Sequence, residues 1–409
     1  MPLPRDFRLF WGSDAANQFG TAVYTFVLPV VAIEALAASE FQVGLLTAAG
    51  TAAFLVIGLP VGVYVDRTRK RAVLAWSTVG RAVALATVPV AAWLGGLTFA
   101  HLLLAALVAG VLTVFFEVAS QAYLPTLVER GGLVDANRRL VSTQQVARLS
   151  GRPVSGPLVQ VLGSANAVLA ITSSFLVSAL LLWRMRTPER AVEPRERALW
   201  ADMAEGLRFV FGHPLLRPIA LCTTWFNLAN AMWGAVTVLF LLRDLALSPA
   251  VAAVLMGVGS AGGVVAALAT GWLARFGQVR LVWLSLLVTQ PAWVLVPLAE
   301  PGWRLALFAV GTLVASAGVV VYNVAQVSLR QALCPDRLLG RMNASVRFLT
   351  WGAMPVGAVA GGALAEWVGV RTTLWVAAAG MVVSAFWVVL SPLRSMRDLP
   401  VITSLDRHG

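Results

Sequence analysis

Twelve apolar stretches, each about as long as a bilayer is thick, constrain this chain more than any single motif. They fall at roughly 8–33, 42–65, 72–95, 98–123, 140–162, 165–184, 214–241, 248–271, 279–298, 302–326, 345–365 and 370–391. A helix rises about 1.5 Å per residue, so ~20 apolar residues cross the roughly 30 Å hydrocarbon layer. That layer offers no water to an exposed amide or carbonyl, and nothing here alternates like the strands of a barrel. Each stretch is therefore expected to be an α-helix. Pro29, Pro60, Pro89, Pro153, Pro291 and Pro355 fall inside the runs. They are expected to kink helices rather than end them, because neighbours re-satisfy the freed carbonyls. The expected class is an all-α polytopic membrane protein.

Composition agrees. By length alone, 409 residues would make two or three soluble domains. A chain that is 59% hydrophobic and 12% charged, with mean hydropathy +0.80, is not of that kind. The net charge of +12 would suggest nucleic acid in a soluble protein. Its placement argues otherwise. Twenty-four of the 31 basic residues fall in the termini and the loops on one side, against Arg243, Arg304 and Arg371 on the other. Excess Arg and Lys marks the cytoplasmic face, so both termini and the central loop are expected there. Arg81, Arg148, Arg152 and Arg347 are expected within spans. Cys222 and Cys334 lie in different halves and suggest no disulfide framework. The first run reads as a retained span rather than a removed signal peptide.

One long polar insert divides the chain. The expected units are a six-helix bundle at 1–185, a central loop at 186–213, a second bundle at 214–392 and a tail at 393–409. Within the loop, Leu199, Trp200, Met203, Leu207, Val210 and Phe211 recur at helical spacing opposite Asp202, Glu205 and Arg208. That pattern predicts an amphipathic helix lying on the inner leaflet. The halves also repeat. Ser39–Arg71 and Ser248–Arg280 align without a gap, so that Gly50 meets Gly259, Gly62 meets Gly271 and Arg71 meets Arg280, while Asp66 meets Arg275.

The connection between the second and third runs reads Gly62-Val-Tyr-Val-Asp66-Arg67-Thr-Arg69-Lys70-Arg71. Four cations and an acid in so short a stretch must lie at a membrane surface. The pattern resembles the second-to-third-helix loop signature of the major facilitator superfamily, with Arg69 where the family usually has Gly. Phe115-Phe-Glu117…Tyr123-Leu-Pro-Thr and Tyr322-Asn-Val-Ala-Gln-Val-Ser-Leu-Arg-Gln…Pro335-Asp-Arg-Leu-Leu-Gly-Arg-Met-Asn-Ala resemble the bacterial branch related to the enterobactin exporter and to macrolide-type drug efflux proteins. The resemblance runs from Phe7 to Pro392. It implies twelve helices in two pseudo-symmetric six-helix bundles, a site between them at mid-membrane, and secondary transport by alternating access. It also implies a small-molecule substrate, protons and the lipid bilayer as partners, a monomer, and no cofactor, metal or nucleic acid. Gly62, Asp66, Arg67, Lys70 and Arg71 would form a gating loop. Gly151-Arg-Pro-Val-Ser-Gly156-Pro157 resembles the fifth-helix signature of drug–proton antiporters in part, since Arg152 interrupts it.

Chemistry beyond transport finds little footing. His101, His213 and His408 sit near span ends or in the tail, and no metalloprotease, nucleophile-elbow or phosphate-loop motif occurs. Ionisable groups within spans carry more weight, each costing ~2.5–3.5 kcal/mol or more at mid-membrane. Asp14 and Glu117 fall at similar depth on the first and fourth runs, with Arg148 and Arg152 one turn apart on the fifth. They are the candidates for a proton relay. Desolvation favours a neutral carboxyl and a nearby guanidinium favours a charged one, so movement of Arg148 or Arg152 would switch its proton affinity. The competing reading is a permanent Glu117–Arg148 pair. Asn17, Gln18, Thr21, Asn227, Asn230, Gln290, Tyr322, Asn323 and Gln326 either line a substrate cavity or join helices. Trp225, Phe226, Trp233 and Trp351 would offer stacking surfaces. The expected function is proton-coupled export of a small, largely apolar compound such as an antibiotic, secondary metabolite or siderophore. Uptake, or lysolipid movement between leaflets, is the alternative within transport; a transport-silent sensor or scaffold is the alternative outside it.

Overall fold

The computed structural model describes residues 4–128, 132–187, 199–335 and 338–397. Among these it is helical nearly throughout, with no strand. The first half holds α1 (Arg5–Glu34), α2 (Glu40–Arg67), α3 (Lys70–Trp93), α4 (Phe99–Leu127), α5 (Leu133–Leu162) and α6 (Ser164–Trp183). A short helix α7 (Leu199–Gly212) follows. The second half holds α8 (Leu216–Leu239), α9 (Pro249–Leu273), α10 (Gln278–Thr289), α11 (Leu305–Leu333), α12 (Leu339–Val368) and α13 (Val370–Ser384). Two helices change pitch: α8 widens over Phe240–Asp244, and α10 tightens over Gln290–Leu298. The change in α10 coincides with Pro291, where a kink alone is expected; the missing amide there favours the tighter winding.

The twelve-helix class is met. Eleven helices among the described residues are long and apolar enough to cross a membrane. The other expected span, α5, has the length (30 residues) but carries Gln144, Gln145 and Arg152 among its apolar residues. Its packing against α1 and α9 explains how such a helix is tolerated: Gln144 donates to Gln18 of α1 and Arg152 to Ser260 of α9.

Pseudo-symmetry is visible in the bounds themselves. Helices α4, α5 and α6 are followed by α11, α12 and α13 at the same offset of 206 residues, judged from their first residues. Gly163 and Gly369 stand at the matching turns with φ +81° and +87°, a region that only glycine enters freely. The repeated serines act alike too. Ser39 Oγ accepts from Gln42 N at 3.3 Å while Gln42 Oε1 accepts from Ser39 N at 2.9 Å, a capping box. Ser248 Oγ accepts from Val251 N at 3.5 Å, and valine there cannot complete the box.

The halves meet along α2 with α12 and α5 with α9, and most closely at the end away from the chain termini. A Cβ on Gly44 would come within 2.6 Å of the Gly362 Cα, and one on Gly156 within 2.6 Å of the Ala250 Cα. Polar contacts reinforce this end. Glu366 accepts from Ser39 Oγ and Phe41 N, and Arg243 donates to Glu40 at 2.7 Å and to the Ala38 carbonyl at 2.6 Å. Toward the other end the crossings thin out. A side chain added at Gly58, Gly62 or Gly340 would meet nothing within 4 Å.

The predicted helix α7 forms, but it is docked on protein. Met203 and Val210 are buried, Ser345 Oγ on α12 donates to the Met203 carbonyl at 3.0 Å, and Arg341 pairs with Glu205. Phe211 stays exposed. Leu199, Trp200 and Asp202 lie outside the described side chains.

Because the glycine contacts hold one end shut, Gly44→Val should prop it open. Spin labels on Ala35 and Trp367, both exposed, would report it in a background with Cys222 and Cys334 changed to Ser. A longer distance component is expected in the variant; an unchanged distribution would contradict the argument.

Candidate functional site

A cavity of about 890 Å³ lies between the halves. Its wall reaches Arg330 and Asn343, within about a turn of the ends of α11 and α12 near the chain termini. At the opposite end it stops at Pro29 and Leu46, below the Gly44–Gly362 contact. The volume suits a drug-sized ligand.

Eight of the expected residues line it: Thr21, Arg152, Asn227, Asn230, Gln290, Tyr322, Asn323 and Gln326. Tyr322 is held by α8, its hydroxyl 2.8 Å from Thr223 Oγ1 and donating to the Ile219 carbonyl at 3.4 Å. The Gln290 and Gln326 side-chain oxygens are buried without a hydrogen-bond partner. Phe226, Trp233 and Trp351 join the wall, and Trp225 does not. Trp233 meets Trp293 edge-on with ring centroids 4.9 Å apart, and both indole N–H groups are buried and unpartnered.

Asn17, Gln18, Asp14 and Glu117 stand behind the wall instead. Asn17 is buried because it receives a hydrogen bond from Arg81 Nη1 at 3.2 Å. Arg81 Nη2 donates to Thr21 Oγ1 at 3.1 Å, and its guanidinium lies 4.0 Å over the Phe175 ring. Gln18 donates to Asp14 at 3.4 Å and receives from Gln144 at 3.4 Å. Glu117 lies within electrostatic reach of Asp14, Arg81 and Arg347. The side chain of Arg148 lies outside the described ones, so the Glu117–Arg148 pair has no geometry here.

Three arginines in the wall carry roles that reasoning from sequence misses. Arg81 and Arg347 are expected in spans without a task, and Arg330 in a loop. Arg347 on α12 donates to Gln121 of α4 at 3.2 Å and lies 4.2 Å over the Trp351 ring. Arg152 on α5 donates to Ser260 of α9 at 3.3 Å. Arg347 and Arg152 therefore each reach from one half to the other. With Arg81 and Arg330 they make four guanidinium groups around the cavity, and the described lining holds no Asp or Glu. For Arg81 and Arg347 the available signal was a position inside an apolar run, which marks function by default.

The Gly62–Arg71 stretch, expected as a loop, is mostly helical: Gly62 and Arg67 lie on α2, Lys70 and Arg71 on α3, and only Thr68 and Arg69 form the turn between them. Arg71 donates to the Leu182 and Trp183 carbonyls at 3.0 and 2.7 Å, neutralising the C-terminal end of α6. Lys70 is buried and Arg67 exposed. The side chain of Asp66 lies outside the described ones.

Two six-helix halves related by pseudo-symmetry, with a cavity between them, define a transporter of the major facilitator fold. The chain belongs to the family described as Transmembrane secretion effector, whose model matches residues 2–408. It is 28% identical over 351 residues to the multidrug efflux pump Tap of Mycolicibacterium fortuitum, covering 82% of this chain and 83% of that protein. Among solved structures, a point mutant of the nucleoside transporter NupG superposes with TM-score 0.78 at 12% identity, over 94% of this chain and 99% of that one. A bacterial homologue of the iron transporter ferroportin superposes with TM-score 0.75 in its inward-facing state, at 16% identity over 95% and 99% of the chains. In its outward-facing state the score is 0.63, at 17% identity over 96% and 100%. Family and fold are those of transporters, not enzymes.

Arg81→Ala would strand the Asn17 side-chain oxygen and remove the stack on Phe175, while Thr21 keeps its bond to the Asn17 carbonyl. A stranded polar group costs about 1–3 kcal/mol, so a clear fall in melting temperature of the purified protein is expected. Arg81→Lys should recover little, because an ammonium cannot span both partners and stack at once.

Proposed function

We propose that this protein is an exporter of the cytoplasmic membrane that moves a small compound with a largely apolar body, driven by inward proton flow. The observation that carries the reading is the cavity between the halves, closed beyond Gly44 and Gly362 and reaching toward the end that bears the termini. The 24-to-3 bias of basic residues supports a cytoplasmic location for that end, so the conformation described is the inward-facing one. Efflux by the Tap pump of Mycolicibacterium fortuitum supports the direction. A carrier of this form loads from the cytoplasm, then closes its inner end and opens the outer.

Asp14 and Glu117 are the proposed proton carriers. Asp14 is buried and Glu117 half-buried, behind the cavity rather than in its wall. Protons and substrate would then occupy different sites and be coupled through the helices between them. Each proton entering adds about 2.3 kcal/mol per 100 mV of membrane potential. The Gly62–Arg71 connection would close the inner end in the outward-open state, where exposed Arg67 gains partners from the opposite half.

Inverted vesicles given a pH gradient provide the test. A proton leak on adding substrate, found by a broad compound panel, supports antiport, and its absence throughout the panel removes that support. Glu117→Gln should abolish the leak and accumulation against a gradient. If Glu117 serves structure alone, the variant should transport with intact coupling and melt at a lower temperature.

A further inference from the structure

We propose that the substrate is a small organic anion: an acidic group, carboxylate, sulfonate or phosphate, on an aromatic or apolar body. The proposal deepens the export reading and rests on it. Arg81, Arg152, Arg330 and Arg347 all line the cavity, while the described lining contains no carboxylate. A guanidinium within a span is costly, and four around one space repel one another. The two nearby acids are too few to balance them. Asp14 and Glu117 stand behind the wall, and no ion pair among the described residues joins either to an arginine.

Hydrogen-bonding capacity is left over as well. Arg347 donates to the neutral amide of Gln121. The Nε atoms of Arg81 and Arg330 are buried without a partner. The indole N–H groups of Trp233 and Trp293 add two more idle donors in the same wall. A surplus of donors and positive charge fits a ligand rich in acceptor oxygens and negative charge. Inorganic anions would satisfy the charge but leave the aromatic wall unfilled. Phe226, Trp233, Trp293 and Trp351 require a body that stacks, in a volume near 890 Å³. A cationic compound would meet the wrong field.

Calorimetric titration of the full chain in nanodiscs with naphthoate, naphthamide and naphthylmethylammonium tests the charge on one ring. A charge-assisted hydrogen bond is roughly twice as strong as a neutral one, so naphthoate should bind about tenfold tighter than naphthamide, with the ammonium weakest. Arg330→Gln and Arg347→Gln should shrink the naphthoate-to-naphthamide ratio, and the corresponding Lys variants should keep most of it. Naphthamide or the ammonium binding as tightly as naphthoate would overturn the proposal. So would an absence of naphthoate binding, or a ratio unchanged in both Gln variants. The wild-type comparison decides even where a variant does not fold. Competition with lysophosphatidylglycerol separates two sources of the same chemistry: displacement of naphthoate supports an anionic lipid, and no displacement supports a water-soluble acid. Transport of neutral compounds in vesicles without anion preference would sink this inference alone. Absence of transport would sink the export reading and leave the binding comparison readable.

Discussion

Two helices can touch backbone to backbone only where at least one of them lacks a side chain, and the halves of this protein touch in that way at one end. Gly44 against Gly362 and Gly156 against Ala250 bring α2 to α12 and α5 to α9 closer than any pair of larger residues allows. In lipid, no hydrophobic effect pushes helices together, so close packing of small residues supplies the attraction instead. The cavity follows from this contact. With the halves pinned at one end and the same helices diverging beyond Gly58 and Gly340, space must open between them. Alternating access needs the pin to be reversible, and contacts made by glycines together with the exposed Glu40–Arg243 pair are of modest strength. A large interlocked apolar interface there would hold one state too well.

The polar residues obey the same constraint from the other side. Arg81 is tolerated in a span because Asn17, Thr21 and the Phe175 ring replace its water. Those partners are all in the first half, so this network moves as a unit when the halves rock. Arg152 and Arg347 differ, since each donates to a residue of the opposite half. Their bonds cannot all survive a change of state. The first kind of arginine shapes a wall, and the second reports on the relative position of the halves.

The fold was legible because bilayer thickness sets helix length, and charge counting sets which ends share a side. The repeat was legible for a related reason: matching turns need matching residues, as with Ser39 and Ser248. Helix α5 was expected on length despite its polar residues, and the structure explains them by its position between α1 and α9. The site was read less completely. Depth along a helix can be counted, which brought Asp14 and Glu117 to the same level. The face a residue presents depends on packing that no single run records. Asn17 and Gln18 therefore looked like cavity residues and stand behind it, while Arg330 looked like a loop charge and lines it. The docking of α7 was hidden for the same reason, because an apolar stripe does not say whether lipid or protein covers it.

Glu117 is placed to feel both kinds of arginine. Arg81 belongs to its own half and would stay at a fixed relation to it under alternating access, whereas Arg347 belongs to the other half and would move. A ligand or proton shifts an equilibrium only through a difference in its interaction with the two states. An acid surrounded solely by its own bundle would meet the same surroundings throughout the cycle and could couple to nothing. Within electrostatic reach of Arg347, Glu117 would have surroundings that differ between the states of an alternating-access cycle. An anion held by Arg347 would compete with Glu117 for that guanidinium. On the export reading, loading an anion from the cytoplasm would then loosen the contact between that guanidinium and Glu117. On the proposed reading, substrate and proton would be linked through one arginine without sharing a site.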